Sequence, residues 1–397
     1  MIMSGRVAVV AAVFMVCAAA CPAPASAQQT ITGALSFLLT NRSIPTGDFA
    51  RDEAAAIATR DTISTFLRSE LTTLPVTSSA SGFTYRIDPA LGGVPVRSTG
   101  SFGSFFTERS LTIGRLQFSL AATYQGVSFD EIDGRDLRDG TLRATASRLT
   151  SDQVPFDVET VAMRIHTDTV TVAANYGVTD RLEIGAALPL ERLTLTGERV
   201  DTYRGTPLLQ AAVSANASGP GDLVVRGKLT VLQRGPAGMA VGAEGRLPTG
   251  NSANLLGAGE TTVKPRFMLS METSHVAVDS NVGYAFGGIA DELDYSAAVT
   301  TAGAHKITVV GEVVGRRLNS AGHLIEVVSR HPLLAGVETV RLSAVEQATH
   351  RTVALAGVKW NARATWLVTA NIARSLTTSG LTARWMSTIG AEYAFGE

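Results

Sequence analysis

The sequence predicts an all-β chain: a transmembrane, outer-membrane antiparallel β-barrel of about 14 strands, with 12 as the alternative, preceded by an N-terminal helical plug or periplasmic segment. Three observations predict it. Apolar residues alternate with small, polar or charged ones through strand after strand, from about Ser101 to the C-terminus. The chain opens like an export substrate and then holds no apolar run long enough for a transmembrane helix. Short connections alternate with long ones, as short periplasmic turns and long external loops do in barrels.

Met1 to Arg6 is a basic start, Val7 to Ala20 is apolar, and Ala25-Ser-Ala27 precedes Gln28. These features predict a secretory signal peptide over 1–27, cleaved after Ala27. Lipoprotein processing at Cys21, which follows Ala18-Ala-Ala20, is the alternative. Both cysteines, Cys17 and Cys21, fall in this segment, so the exported chain would not rely on disulfides. A formal net charge of −1 gives no reason to expect a nucleic-acid partner.

Residues 28–80 read as an N-terminal helical plug or periplasmic segment, and 81–397 as the barrel. Gln28 to Leu39 is mixed, a strand or a plug piece. Ile44-Pro-Thr-Gly-Asp48 is a turn ending in a helix cap. From Phe49 to Leu74 the period becomes helical: Ile63, Phe66, Leu67, Leu71 and Leu74 recur at three and four residues, and Pro75 stops the helix. Gly82 to Asp88 is a weak first strand, Ser101 to Leu111 a second that turns at Thr112 to Gly114, and Leu116 to Tyr124 a third.

Asp130 to Pro155 reads as a solvent loop. A hairpin follows from Thr169 to Leu190, broken at Thr179-Asp180, with every even position from Val170 to Val178 and Leu182 to Leu190 apolar. Those faces should touch lipid. Asn175, Arg181 and Glu183 should face the lumen or its mouth. After a loop from about Arg192 to Gly219 the alternation resumes, with turns near 235, 274, 304 and 362 and a long loop from Leu318 to His350. The last strands are Thr352 to Trp360, Thr365 to Arg374 and Leu381 to Phe395. Trp360, Trp366, Trp385, Tyr176 and Tyr393 are candidate aromatic-girdle residues.

The one dense set of chemical groups is the inward-facing charge: Arg226, Lys228, Glu244, Arg246, Lys264, Arg266, Asp279, Glu312, Arg316, Arg384 and Glu392. On neighbouring strands such groups meet, either as an ion-pair network that fills the lumen or as a selectivity surface for a permeating molecule. Neither a metal nor a cofactor is expected: the six histidines lack metal-ligand spacing, and Gly257-Ala-Gly259 lies in a loop without a third glycine. No nucleophile elbow supports an enzyme. A Ser-His pair at the membrane boundary would be the feature to revive that idea.

Asn175-Tyr-Gly-Val-Thr-Asp-Arg-Leu-Glu-Ile-Gly185, Gly221-Asp-Leu-Val-Val-Arg-Gly-Lys228, Arg246-Leu-Pro-Thr-Gly250 and Asn254-Leu-Leu-Gly-Ala-Gly259 resemble the meta-pathway phenol-degradation outer-membrane family. That family is grouped with FadL-like transporters of hydrophobic compounds. The resemblance runs from about Val170 to Tyr295 and more weakly to the C-terminus. It implies a monomeric barrel with a helical plug that passes small aromatic or aliphatic molecules. The resulting expectation is an outer-membrane channel or transporter for small hydrophobic compounds, not an enzyme, whose partners are outer-membrane lipid, the barrel assembly machinery and a small hydrophobic substrate. The alternative is a structural or surface-interaction barrel.

Overall fold

Alternation of period two cannot bury both faces of one strand in the same medium. The chain resolves this by closing its strands into a ring, seen in a computed structural model that describes residues 30–73, 82–88, 94–97, 100–273, 275–302, 306–363 and 365–395. The ring strands are β1 (Phe118–Phe129), β2 (Pro155–Gly177), β3 (Leu182–Tyr203) and β4 (Leu223–Arg234). Next come β5 (Ala237–Leu247), β6 (Thr262–Glu272), β7 (Val276–Gly287) and β8 (Glu292–Ala302). The last four are β9 (Ile307–Leu318), β10 (Thr349–Arg363), β11 (Trp366–Ser375) and β12 (Trp385–Phe395).

Each pairs antiparallel with its sequence neighbours, and β12 closes on β1 with Phe395 opposite Phe118. The barrel is therefore 12-stranded, the lower of the two expected counts. The two missing strands are the first two expected. Among the described residues, Tyr85–Asp88 pairs with Val94–Arg97 in a separate two-stranded sheet. Ser101 to Leu111 forms no strand and lies inside the ring, as described below. The helix expected over Phe49 to Leu74 is α2 (Phe49–Thr73); Leu74, like the expected signal peptide, lies outside the described residues. Asp48 caps it through the Arg51 amide. Ile31–Leu39 is a helix, α1, where a strand or plug piece was expected.

Exposure is inverted relative to a soluble protein. Val282 is 45% and Ile389 58% exposed, whereas Asp279, on the other face of β7, is 1% exposed. The outward aliphatics form a continuous band, the surface a lipid bilayer covers. On β3 the band runs from Leu182 to Leu190, about 27 Å along the strand. At a tilt of about 40° that is roughly 21 Å of membrane height. Aromatics cluster at its lower rim, where Phe118, Phe395, Tyr393 and Trp366 pack ring on ring.

β2 and β3 do not stop at the top of the band. Above the register pair Asp168–Arg192 their pattern swaps sides. The outward positions become His166, Arg164, Thr194 and Thr196. The inward ones become Ile165, Met163, Val161, Leu193 and Leu195, all buried. Leu142–Leu149, the hairpin His323–Arg330/Val337–Val345, and Thr206–Pro220 pair onto this extension. Three segments expected as loops thus build a six-stranded crown over one side of the barrel.

The crown's inner face packs α1 and α2 through Ile31, Leu35, Leu38, Ile63, Phe66 and Leu67. Buried Arg199 of β3 donates to the carbonyls of Phe37 (3.0 Å), Leu38 and Thr40, satisfying the exposed C-terminal end of α1. Asp52 of α2 pairs with Arg341 of the crown hairpin at 2.5 Å. The 248–261 loop closes over α1 and is pinned by Asp222, which accepts from the amides of Gly250 (2.9 Å) and Ala258 (2.8 Å). A Cβ at Gly250 would collide with the Leu256 carbonyl oxygen, and one at Gly257 would sit 2.6 Å from Asp222 Oδ1. Close backbone approach is the local reason for these glycines.

Candidate functional site

Among the described residues, the lumen holds residues 100–113, the Gly82–Thr84 segment and the C-terminal end of α2, and the wall charges hold them. Residues 100–113 cross its lower half. Glu312 of β9 accepts the amides of Phe105 and Phe106 at 3.0 Å, the amide of Thr107, and the Thr107 hydroxyl at 2.6 Å. Lys359 of β10 donates to the Ser104 carbonyl at 2.6 Å. Glu108 reaches Arg226 of β4 at 2.8 Å and Arg266 of β6 at 3.2 Å. Arg109 faces Asp279 of β7 at 3.9 Å. Glu392 of β12 accepts from the Gly82 amide at 2.8 Å, and Glu183 of β3 from that of Ile113 at 2.8 Å. Irregular backbone is tolerable here only because the wall satisfies its amides and carbonyls.

The helical piece is the C-terminal end of α2. Glu70 Oε1 meets Arg351 of β10 at 2.6 Å and Arg316 of β9. Arg316 also donates to the Ser69 carbonyl at 3.0 Å.

Above residues 106–108 lies a cavity with about 80 Å³ open to the centres of water-sized molecules. Its floor is Phe106 and Glu108; Arg316 and Arg351 line it near the upper ends of their strands. One side is charged: Glu244, Arg246, Lys264, Arg266, Glu292 and Asp294, from β5, β6 and β8. Lys264 bridges Glu292 (2.8 Å) and Asp294 (3.2 Å), and Arg266 lies 3.7 Å from both Glu244 and Asp294. Arg246 comes no nearer than 3.8 Å to Glu244, and its buried Nη1 has no hydrogen-bond partner. The opposite side is mostly apolar, with Val314, Val353, Leu355, Ala373 and Met386 from β9 to β12, and carries Asn371 among them and Arg316 and Arg351 above them. The cavity is thus two-sided, with hydrogen-bonding groups facing a mostly hydrocarbon wall.

The structure puts ten of the eleven expected lumen residues on the inner face: Arg226, Lys228, Glu244, Arg246, Lys264, Arg266, Asp279, Glu312, Arg316 and Glu392. Arg384 is the correction. Its side chain is 62% exposed and pairs with Glu131 at 2.8 Å outside the lumen. β12 begins at Trp385, one residue later, because Leu381–Thr382 pairs with Glu131–Ile132 in a small sheet under the crown. Extending the strand pattern back to Leu381 wrongly gave Arg384 a place on the inner face. Glu70, Glu108, Arg351 and Lys359 were missed. Glu70 lies in a helix, Glu108 in a segment expected to be a strand that instead crosses the lumen, Arg351 one residue before the strand expected to start at Thr352, and Lys359 in that strand, read for its aliphatics.

No protein-family model and no curated protein matches the chain. Solved structures similar to it include the COG4313 outer membrane channel from Pseudomonas putida F1, with a TM-score of 0.46 at 13% identity, covering 72% of this chain and 98% of that one. The NanC porin is similar at a TM-score of 0.36 and 6% identity, over 69% of this chain and 98% of that chain. The translocator domain of the autotransporter NalP from Neisseria meningitidis gives 0.35 and 12% identity, over 71% and 89%.

A group of polar residues that includes a serine and a histidine lies on the outer face. Ser128 of β1 and His166 of β2 are register partners on the outer face, with Ser128 Oγ 2.7 Å from His166 Nδ1. His166 Nε2 lies 3.3 Å from Asp168 Oδ1, and the same Oδ1 accepts from the Tyr124 hydroxyl at 2.7 Å. This Ser-His-Asp row sits where the apolar band ends. Alternation could not reveal it: Ser128 and His166 are far apart in sequence and each falls on an ordinary polar position. Among the described residues no group of histidines, cysteines and carboxylates is arranged to hold a metal ion.

Proposed function

We propose that this protein is an outer-membrane channel for small molecules with a hydrophobic part, its crown outside the cell and its short turns at 179 and 235 in the periplasm. The observation that carries the reading is the cavity above Phe106 and Glu108, whose upper lining, Arg316 and Arg351, also holds Glu70 of α2. A structural barrel needs no such space, and a general diffusion pore needs no plug. The wall supplies hydrogen bonds for a polar end while Val314, Val353, Leu355 and Met386 take the apolar part.

Passage requires the plug to move; ion pairs and hydrogen bonds from the wall hold it, together with apolar packing of Phe105, Phe106 and Leu71 in the core cluster. The test uses the purified full chain in planar bilayers and in liposomes loaded with small aromatic and aliphatic solutes. Conductance and uptake that rise when residues 28–113 are deleted are the expected results. A barrel that neither conducts nor admits solute, with or without that segment, sinks the reading.

A second reading is carried by the Ser128–His166–Asp168 row: a lipid ester hydrolase on the barrel's outer face. Ser128 Oγ would add to an ester carbonyl as His166 takes its proton. His166 would then pass that proton to the departing alcohol, and water, activated the same way, would free the fatty acid. Arg192, the register partner of Asp168, brings positive charge to the row. Labelling by a fluorophosphonate that disappears in Ser128→Ala, together with fatty-acid release from phospholipid vesicles, supports this reading; an unlabelled, inactive native protein ends it.

A further inference from the structure

Arg316 and Arg351 are direct cross-strand partners on β9 and β10, both facing the lumen and both buried. Like charges so placed repel unless an anion sits between them. Here the anion is Glu70, brought by α2. Its fit is incomplete: both guanidiniums share Oε1, while Oε2 is buried and has no hydrogen-bond partner. Two guanidinium forks suit a carboxylate that offers both oxygens.

The row directly beneath the pair is apolar. Val314 opposes Val353 in the next row facing the lumen, and Leu355 lies one row further down, opposite Glu312. Met386 flanks Arg351, with its Sδ 4.0 Å from Nη2. Successive rows on one face are about 7 Å apart. That spacing matches a carboxylate carrying a single aromatic ring or a short alkyl chain.

We propose that the Arg316–Arg351 pair is a carboxylate-binding subsite, held closed by Glu70, and that a small monocarboxylate with a compact apolar body displaces Glu70 and frees the C-terminal end of α2. The proposal rests on the channel reading for its purpose, but the binding it describes is measurable without transport. An inorganic anion would match the arginines and leave the valine and leucine rows bare; a neutral aromatic would do the reverse.

The probes are benzoate, benzyl alcohol as its neutral counterpart, and inorganic phosphate, titrated calorimetrically into the full-length protein in detergent. Benzoate should bind. Glu70→Gln should tighten it about tenfold by removing the competing charge, and Arg316→Met or Arg351→Met should weaken it about tenfold. Benzyl alcohol and phosphate should respond to none of the three. Heat-modifiable gel migration reports whether each variant is folded. A readout that needs no variant is hydrogen exchange in the native protein: benzoate should speed exchange over the last two turns of α2, and benzyl alcohol should not.

The proposal is overturned if benzoate does not bind, if benzoate and benzyl alcohol behave alike, or if saturating benzoate leaves α2 exchange unchanged. If benzoate binds and loosens α2 but no solute crosses the bilayer, the subsite stands and the channel reading falls.

Discussion

Glu312 shows most clearly what a single lumen residue does. One carboxylate gathers three consecutive amides and a hydroxyl from residues 105–107. Its replacement in Glu312→Ala strands those donors, at a local cost of about 3 kcal/mol or more. The expected outcome is a barrel that still migrates as folded but opens far more often in planar bilayers. An unchanged conductance would show that 100–113 is anchored elsewhere. Much of this chemistry is legible at the residue scale. Strict alternation by itself marks Glu312, Arg316, Lys264 and Arg266 as inward charges. Their partners in the plug are not legible, because Glu108 and Glu70 belong to an irregular segment and a helix whose placement no strand period encodes. Arg384 fails for the complementary reason: the pattern carries on past the point where the ladder stops.

The crown shows what periodicity says about elements and what it leaves out. In β2 and β3 the period of two never breaks, yet the face that is apolar changes at Asp168 and Arg192. The change marks the step from lipid outside to protein core inside. A reading that tracks one greasy face sees the strand end there and takes the rest for loop. The crown also holds a titrating cluster. Burial, and then the hydrogen bond and charge of Asp201 with the charge of Glu159, raise the Asp157 carboxyl to about 7. Arg199 is paired with Glu159 at 3.4 Å and so is committed within the same cluster.

A carboxyl raised in the folded state adds stability that is whole below the ordinary carboxylate range and is lost as pH climbs through about 7. Amides of Pro155 to Glu159 and Arg199 to Tyr203 should therefore exchange faster at pH 8 than at pH 5.5, after correction for intrinsic rates. Asp157→Asn should flatten the difference. Protection that is independent of pH in the native protein would rule the effect out.

For the molecule as a whole, the alternation carries the barrel but overcounts its staves. Ser101 to Leu111 has the residue types of a strand, yet its amides find carboxylates and hydroxyls in the lumen instead of a neighbouring ladder. No local pattern separates those outcomes. The outward band itself makes a whole-molecule prediction. Val282→Arg, at mid-height on the lipid face, should destabilise the barrel in bilayers by about 2–4 kcal/mol. Thr194→Arg, outward on β3 but above the band, should cost less than about 0.5 kcal/mol. Equal costs in reversible unfolding from lipid vesicles would mean the band does not mark the membrane.

The closing pair of strands has an implication for how the protein is made. β1 and β12 are ends of the ring in sequence as well as in space, and their contact spans nearly the whole walled part of the chain. We expect α2 and residues 100–113 to lie within the unfinished ring by then, since the described chain enters at the crown and leaves beside Gly177 at the opposite end. The order this geometry predicts is interior first and seam last. A chain whose seam forms early would trap its own N-terminal third outside, and that stranded species is the misfolded product to look for when assembly stalls.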